Sequence, residues 1–248
     1  MIPSVRHHPR MKFGKIAFAI GMIASGVLAI AKRDLYPSWD PTWIPSHTAL
    51  AYACGTLMVL GGIGLVINRT AAISARVLFA FTLFWLVLIK VPYLVTGPQP
   101  GLQWLNWGKI AVVVAGAWTL ATTNETQLRA ARYLMGVGIV PIGISHFLYI
   151  PIAVNMVPGV LPFHSAWVIF TGIAHIAAGL AVIAGVLVWL ATMLEASMIT
   201  AFMVLVWLAP AFAAPGDLNR WVPVVSTLVT AAGVWAVVSK MPRGASGR

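Results

Sequence analysis

Residues 161–183, LPFHSAWVIFTGIAHIAAGLAVI, form an apolar run long enough to cross a bilayer. About 20 apolar helical residues, at roughly 1.5 Å of rise each, cover the ~30 Å hydrocarbon core. Two histidines interrupt the run, and His164 and His175 are 11 residues apart (175 − 164 = 11). That spacing is close to three helical turns, so both project from nearly the same face. Because ionisable side chains are costly inside a membrane, each is a candidate functional residue.

The composition places the whole chain in the same class. Of its 248 residues, 60% are hydrophobic and only 8% are charged, with a mean hydropathy of +0.91. Soluble domains carry about 25% charged residues, so this is the composition of an integral membrane protein with the lipid bilayer as its partner. The net charge of +11 does not indicate nucleic-acid binding, because most Lys and Arg lie in short connections between apolar runs. The single cysteine, Cys54, excludes an internal disulfide and a paired-thiol enzyme.

The residues that interrupt the apolar runs predict eight transmembrane helices. Pro, Gly, Asn and charged residues separate apolar runs at about 16–31, 47–67, 72–95, 105–122, 132–150, 163–188, 190–212 and 221–239. With the N-terminus inside, 11 of the 16 Lys and Arg fall on the inner side, which predicts that both termini are cytoplasmic. The motif Ala29-Ile30-Ala31 resembles a signal-peptidase site. We nevertheless interpret the first run as a retained span. The chain contains an internal duplication, described next, and the segment that matches this run lies in mid-chain, where it cannot be a signal peptide.

The chain contains an internal duplication with an offset of 117 residues. Glycine, histidine and tryptophan positions match without a gap: Gly26 with Gly143, His47 with His164, Gly55 with Gly172, Gly62 with Gly179, Trp104 with Trp221 and Gly116 with Gly233. Each half holds four predicted spans, so the halves share one orientation and are related by an axis along the membrane normal. The fold expectation is therefore all-α, with two tandem parallel four-helix bundles.

This repeat also sets the expected domain boundaries. A basic cytoplasmic leader covers 1–14, the first repeat 15–123, a linker 124–131, the second repeat 132–240 and a cytoplasmic tail 241–248. The repeated small residues, such as Gly55, Gly62, Gly172 and Gly179, are expected at helix–helix contacts, where a missing side chain lets two backbones approach.

The candidate site lies in the second half. His146, His164, His175 and Tyr149 are expected to converge on a pocket that opens outward, beneath the uncharged loop 149–163. Histidine both donates and accepts hydrogen bonds and can carry a proton near neutral pH, so this set suits a quinone carbonyl, a haem b iron or a proton path. The alternative is that these histidines only fix helix packing. No metal site is predicted, because no histidine and carboxylate stand at a metal-binding spacing.

The first half lacks this set. Ala29 stands where the second half has His146, Met58 where it has His175, and Leu78 where it has Glu195, while only His164 has a histidine counterpart. Glu195 is expected to reach the cytoplasmic interface, and Lys90 is expected to extend its ammonium outward to the other one. His164, shared by both halves, is expected at an interface or as a helix cap, which leaves His175 as the first residue to mutate.

Residues 131–212 resemble the DoxX-like family of small four-helix bacterial membrane proteins. The features that carry the resemblance are Arg132, the run Gly143 to Phe147 (GISHF), Met156-Val157-Pro158, Leu161-Pro162, the run Thr171 to His175 (TGIAH) and Ala178-Gly179. Residues 15–122 resemble a more divergent copy. In the family the position of His175 is often a glutamate, and here it is a histidine. The resemblance implies a multi-pass protein of the bacterial inner membrane and, in some relatives, a part in redox complexes.

Three functions are consistent with these features. The first is a membrane component of a redox or quinone-linked system with redox partner proteins. The second is a structural or partner-binding membrane protein without chemistry. The third is a small-molecule transporter, which the parallel repeat and the scarcity of polar groups disfavour.

Overall fold

The computed structural model describes residues 9–35, 47–96 and 99–241, and all regular structure within them is helical. The long helices are α1 (Pro9–Lys32), α2 (His47–Val66), α3 (Ala71–Thr96), α4 (Pro100–Ala121), α5 (Glu125–Leu148), α6 (His164–Ala184), α7 (Val188–Ala213) and α8 (Leu218–Ser239). A short helix, Ile150–Val154, lies between α5 and α6. The start of the leader, the tail beyond 241 and residues 36–46, between the first two predicted helices, lie outside the described residues.

Seven of these helices are long and apolar enough to cross a membrane, which makes this an all-α, multi-pass membrane protein. The exception is α4, which has sufficient length but carries Gln103, Asn106 and Lys109. It lies in the centre of the packing, between α3, α5 and α8.

Two helix boundaries differ from their expected positions. The side chain of Asn124 accepts a hydrogen bond from the backbone N–H of Gln127, so α5 begins at Glu125 and most of the expected linker 124–131 is helical. The sixth run was expected to extend to residue 188, but α6 ends before Gly185, which has a left-handed conformation with φ of 74°. Glycine adopts that conformation at no steric cost, and this explains the break.

The packing repeats between the two halves. Helix α1 packs on α2 as α5 packs on α6, and α3 packs on α4 as α7 packs on α8. The halves also interlock, because α1 packs extensively along α8 and α4 along α5. The helices therefore surround a shared central contact between α4 and α8 and do not stand apart as two separate bundles.

The repeated glycines lie at the close contacts, as predicted. A Cβ on Gly55 would lie 2.8 Å from the carbonyl oxygen of Gly26, and a Cβ on Gly143 would lie 2.8 Å from that of Gly172. The same helix–helix approach thus occurs in both halves. Because real Cβ atoms do not come this close to a carbonyl, only glycine permits the spacing.

Each half also contains a π-helical segment in its third helix. These segments are Trp85–Lys90 in α3 and Met203–Leu208 in α7. Pro92 and Pro210 follow within two residues of the segments. A proline lacks the N–H of a regular helical turn and its ring crowds the carbonyl four residues before it, which accounts for the wider turn.

Candidate functional site

A histidine and a glutamate pair inside the second half. The Nδ1 atom of His175 on α6 lies 2.7 Å from Oε1 of Glu195 on α7. Their side chains are 2% and 0% exposed. The second oxygen, Oε2 of Glu195, is buried and has no hydrogen-bond partner among the described residues. Burial of a carboxyl group away from water costs free energy unless the group is paired. His175 therefore stabilises Glu195 at this buried position.

His146 adds a second imidazole to the pair. Its ring centre lies 5.1 Å from that of His175, and its Nδ1 lies 3.0 Å from the backbone carbonyl oxygen of Ile142. Phe202 of α7 contacts both imidazoles, with ring centres 6.1 Å from His146 and 6.0 Å from His175. These three rings and the Glu195 carboxyl group form a connected set, which we call the histidine cluster.

The glycine contact between α5 and α6 makes the contact between the two imidazoles possible. A Cβ on Gly143 would lie 2.9 Å from the Cβ of His175, and a Cβ on Gly172 would lie 3.0 Å from the Cβ of His146. Each glycine thus accommodates the histidine of the facing helix. The repeat that brings the helices together is therefore also what brings the two rings together.

The histidine cluster is accessible along one edge. His146 is only part-buried, whereas His175 is 1% exposed. Helices α5 and α7 make no direct backbone approach to each other, and the side chains of His146 and Phe202 lie between them. Lys109 of α4 lies within electrostatic range of His146. His146 and Phe202 are therefore the part-buried members of the cluster.

The other two predicted site residues lie apart from these rings. His164 is the first residue of α6, about 16 Å along the helix from His175. Tyr149 follows the end of α5, and a Cβ on Gly101, at the start of α4, would lie 2.8 Å from its hydroxyl oxygen. The structure therefore brings together His146 and His175 of the four predicted residues.

The corresponding positions of the first half form part of a hydrophobic core. Ala29, Met58 and Leu78 are each 0% exposed, and Trp85, the counterpart of Phe202, is 3% exposed. The second half thus has polar groups where the first half has apolar ones.

Two expectations about charged side chains were wrong. Glu195 does not reach an interface, since its side chain is fully buried against His175. Lys90 does not extend outward, since it is 3% exposed within the π-helical turn of α3. The sequence-based prediction also did not place Glu195 and Phe202 beside the two histidines. The signal that could have indicated Glu195 is its replacement of a leucine in the repeat.

The cluster does not fit a haem between its histidines. A metal held by both rings needs a nitrogen about 2 Å away on each side, with the porphyrin plane between them. Ring centres 5.1 Å apart, with Phe202 against both, leave no space for that plane. Among the described residues, no group of three or more His, Cys, Asp and Glu side chains could hold a metal ion.

Comparison of the chain with protein-family models, curated proteins and solved structures finds no match.

Proposed function

We propose that this protein is a membrane component of a quinone-linked redox system, and that the histidine cluster is where the quinone head group exchanges hydrogen bonds and protons. The observation that carries this proposal is the buried contact of 2.7 Å between His175 and Glu195, with the ring of His146 beside it, 5.1 Å from that of His175. A carboxyl group that orients an imidazole is an arrangement suited to proton transfer. Reduction of a quinone to a hydroquinone takes up two protons, so its site needs groups that can donate them.

The position of the cluster supports the same proposal. Quinones are dissolved in the bilayer, and His146 and Phe202 are the part-buried members of the cluster, at the gap between α5 and α7. The aromatic ring of Phe202 contacts both imidazoles and can stack against a planar ligand. A head group bound there would contact an imidazole without leaving the hydrocarbon layer.

The proposal also covers the architecture, the location and the partners of the protein. It comprises a tandem duplication of a DoxX-like unit with eight membrane spans, a location in the bacterial inner membrane with both termini cytoplasmic, and redox proteins as partners. The matched glycine contacts and matched π-helical segments of the two halves support the duplication.

The test is whether purified protein retains a quinone. The protein is extracted into nanodiscs formed directly from the membrane, and the bound quinone is measured by chromatography per mole of protein, relative to the surrounding lipid. The control is the double variant His175→Met with Glu195→Leu, which installs the residues that the first half already packs in its core. We expect enrichment of quinone in the wild type and none in the double variant. Equal amounts in both would overturn the proposal.

A structural role is the second candidate, and one observation favours it. The His175–Glu195 contact joins α6 to α7, two helices whose backbone contact is limited compared with that of α5 and α6. In that case the single variant His175→Met loses stability, the double variant recovers it, and neither the wild type nor the variants retain a ligand.

A further inference from the structure

The Glu195–His175 pair determines what the outer edge of His175 offers to a ligand. One proton lies in the contact of 2.7 Å between Nδ1 and Oε1. Two forms of the pair carry no net charge: a neutral carboxyl group beside a neutral imidazole, and a carboxylate beside an imidazolium. A net charge at a buried site without water is costly, so these are the forms to consider. In the neutral pair the carboxyl proton lies on Oε1 and points at Nδ1, since Oε2 is buried without a partner among the described residues. Nε2 of His175 therefore carries a hydrogen and is a donor in both forms.

His146 offers the opposite function at its own outer edge. Its Nδ1 lies 3.0 Å from the carbonyl oxygen of Ile142, and a carbonyl oxygen only accepts, so Nδ1 must carry the hydrogen. In the neutral imidazole Nε2 then holds a lone pair and is an acceptor. The ring centres of His146 and His175 lie 5.1 Å apart, so the donor and the acceptor belong to neighbouring rings of one cluster.

From this pairing, and resting on the proposed function, we propose that the site recognises a hydroxyl group and binds the hydroquinone form of its ligand more tightly than the quinone form. A hydroxyl group accepts a hydrogen bond from His175 and donates one to His146. A carbonyl group only accepts, so it satisfies His175 and leaves the lone pair of His146 unpaired in an apolar setting. An unpaired buried polar group weakens binding by on the order of tenfold.

The assignment gives each residue a distinct role. His175 and His146 contact the ligand. Glu195 is a positioning residue, because it acts by fixing the proton on His175. Phe202 contacts both rings.

The experiment compares a decyl-benzoquinone with its two-electron-reduced hydroquinone. The full chain is placed in nanodiscs of synthetic phospholipid under anaerobic conditions, and binding of each form is followed by quenching of tryptophan fluorescence. In the wild type we expect the hydroquinone to bind about tenfold more tightly. In His146→Phe we expect the preference to be lost or reversed, because the hydroquinone hydroxyl loses its acceptor and binds more weakly, while the quinone no longer leaves a lone pair unpaired and binds more tightly. In His164→Phe, the matched control, we expect both affinities to stay at wild-type values.

The possible outcomes are distinguishable. If the wild type binds the quinone as tightly as the hydroquinone or more tightly, the hydroxyl preference is overturned and the quinone-linked function stands. If neither form binds, both proposals fail. The comparison of the two forms on the wild type needs no variant, so a His146→Phe protein that does not fold leaves the test decisive.

Discussion

Gly116 and Gly233 occupy equivalent positions of the two halves and face each other where α4 crosses α8. A Cβ on Gly116 would lie 2.6 Å from the Cα of Gly233, and a Cβ on Gly233 would lie 2.7 Å from the carbonyl oxygen of Val112. An axis that relates two halves must pass between equivalent residues that contact each other. This contact therefore identifies the centre of the repeated arrangement.

Substitution at this crossing should separate the central helices. We expect Gly116→Ala to lower the free energy of unfolding by about 1–3 kcal/mol, because the added methyl group meets backbone that cannot rotate away. Gly233→Ala should have a similar cost, and the two effects should not add, because both act on one contact. Denaturant unfolding in detergent micelles measures these changes. Gly216→Ala, at a position with nothing within 4 Å, is the control, and an equal effect there would contradict the expectation.

The buried His175–Glu195 pair should show an asymmetry between single and double substitution. We expect His175→Met to cost about 3–5 kcal/mol, because it leaves the Glu195 carboxyl group buried without a partner. The double variant with Glu195→Leu should recover most of that loss, since methionine and leucine already pack at the same positions of the first half. A double-mutant cycle of unfolding free energies measures the coupling. Additive losses would show that the two residues do not interact.

Gly143 offers a test of how helix spacing supports the cluster. A Cβ at this position would lie 2.9 Å from the Cβ of His175, so Gly143→Ala should push α6 away from α5. We expect a loss of about 1–3 kcal/mol in unfolding free energy together with reduced quinone retention. Gly159→Ala, in the loop before α6 and open on all sides, serves as the control. Normal stability and retention in Gly143→Ala would argue that the close spacing is not required.

The fold was predictable where the signal is local. Apolar runs and the residues that separate them predicted where the long helices lie, although only seven of the eight predicted spans are apolar enough to cross a membrane. The repeated glycines at Gly55 and Gly172 correctly predicted the close contacts. Both depend on residues that act within one turn or at one surface of a helix.

The site was predictable only in part, because it depends on how helices rotate against each other. His164 and His175 share one helix face, but three turns of rise separate them along the axis, so the shared face does not bring them together. His175 and Glu195 lie on different helices, 20 residues apart. The left-handed residue Leu187 precedes α7, and α7 packs against α8. Both features help to set the direction of the Glu195 side chain, and the apolar pattern specifies neither.

Lys240 provides a prediction of pH dependence outside the spans. Its Nζ lies 2.6 Å from the carbonyl oxygen of Thr122, the residue that ends α4, and so joins the ends of α4 and α8. Burial lowers the pKa of Lys240 from its ordinary value of 10.5. Between the lowered pKa and 10.5, the unfolded chain therefore binds more protons at this residue than the folded chain does. Stability linked to this group should rise with pH through that window.

Removal of the Lys240 amine should distinguish its hydrogen bond to Thr122 from its contribution to the pH dependence of stability. At neutral pH we expect Lys240→Met to lose about 1 kcal/mol of unfolding free energy, because the carbonyl of Thr122 loses its charged donor. In the alkaline window the variant should lack the rise in stability that the wild type shows, so the difference between them should widen as the pH increases. Unfolding curves from pH 7 to about 10.5 measure both effects. Lys12→Met, at an exposed position of α1, is the control, and a matching alkaline change in that variant would assign the rise to general charge repulsion instead.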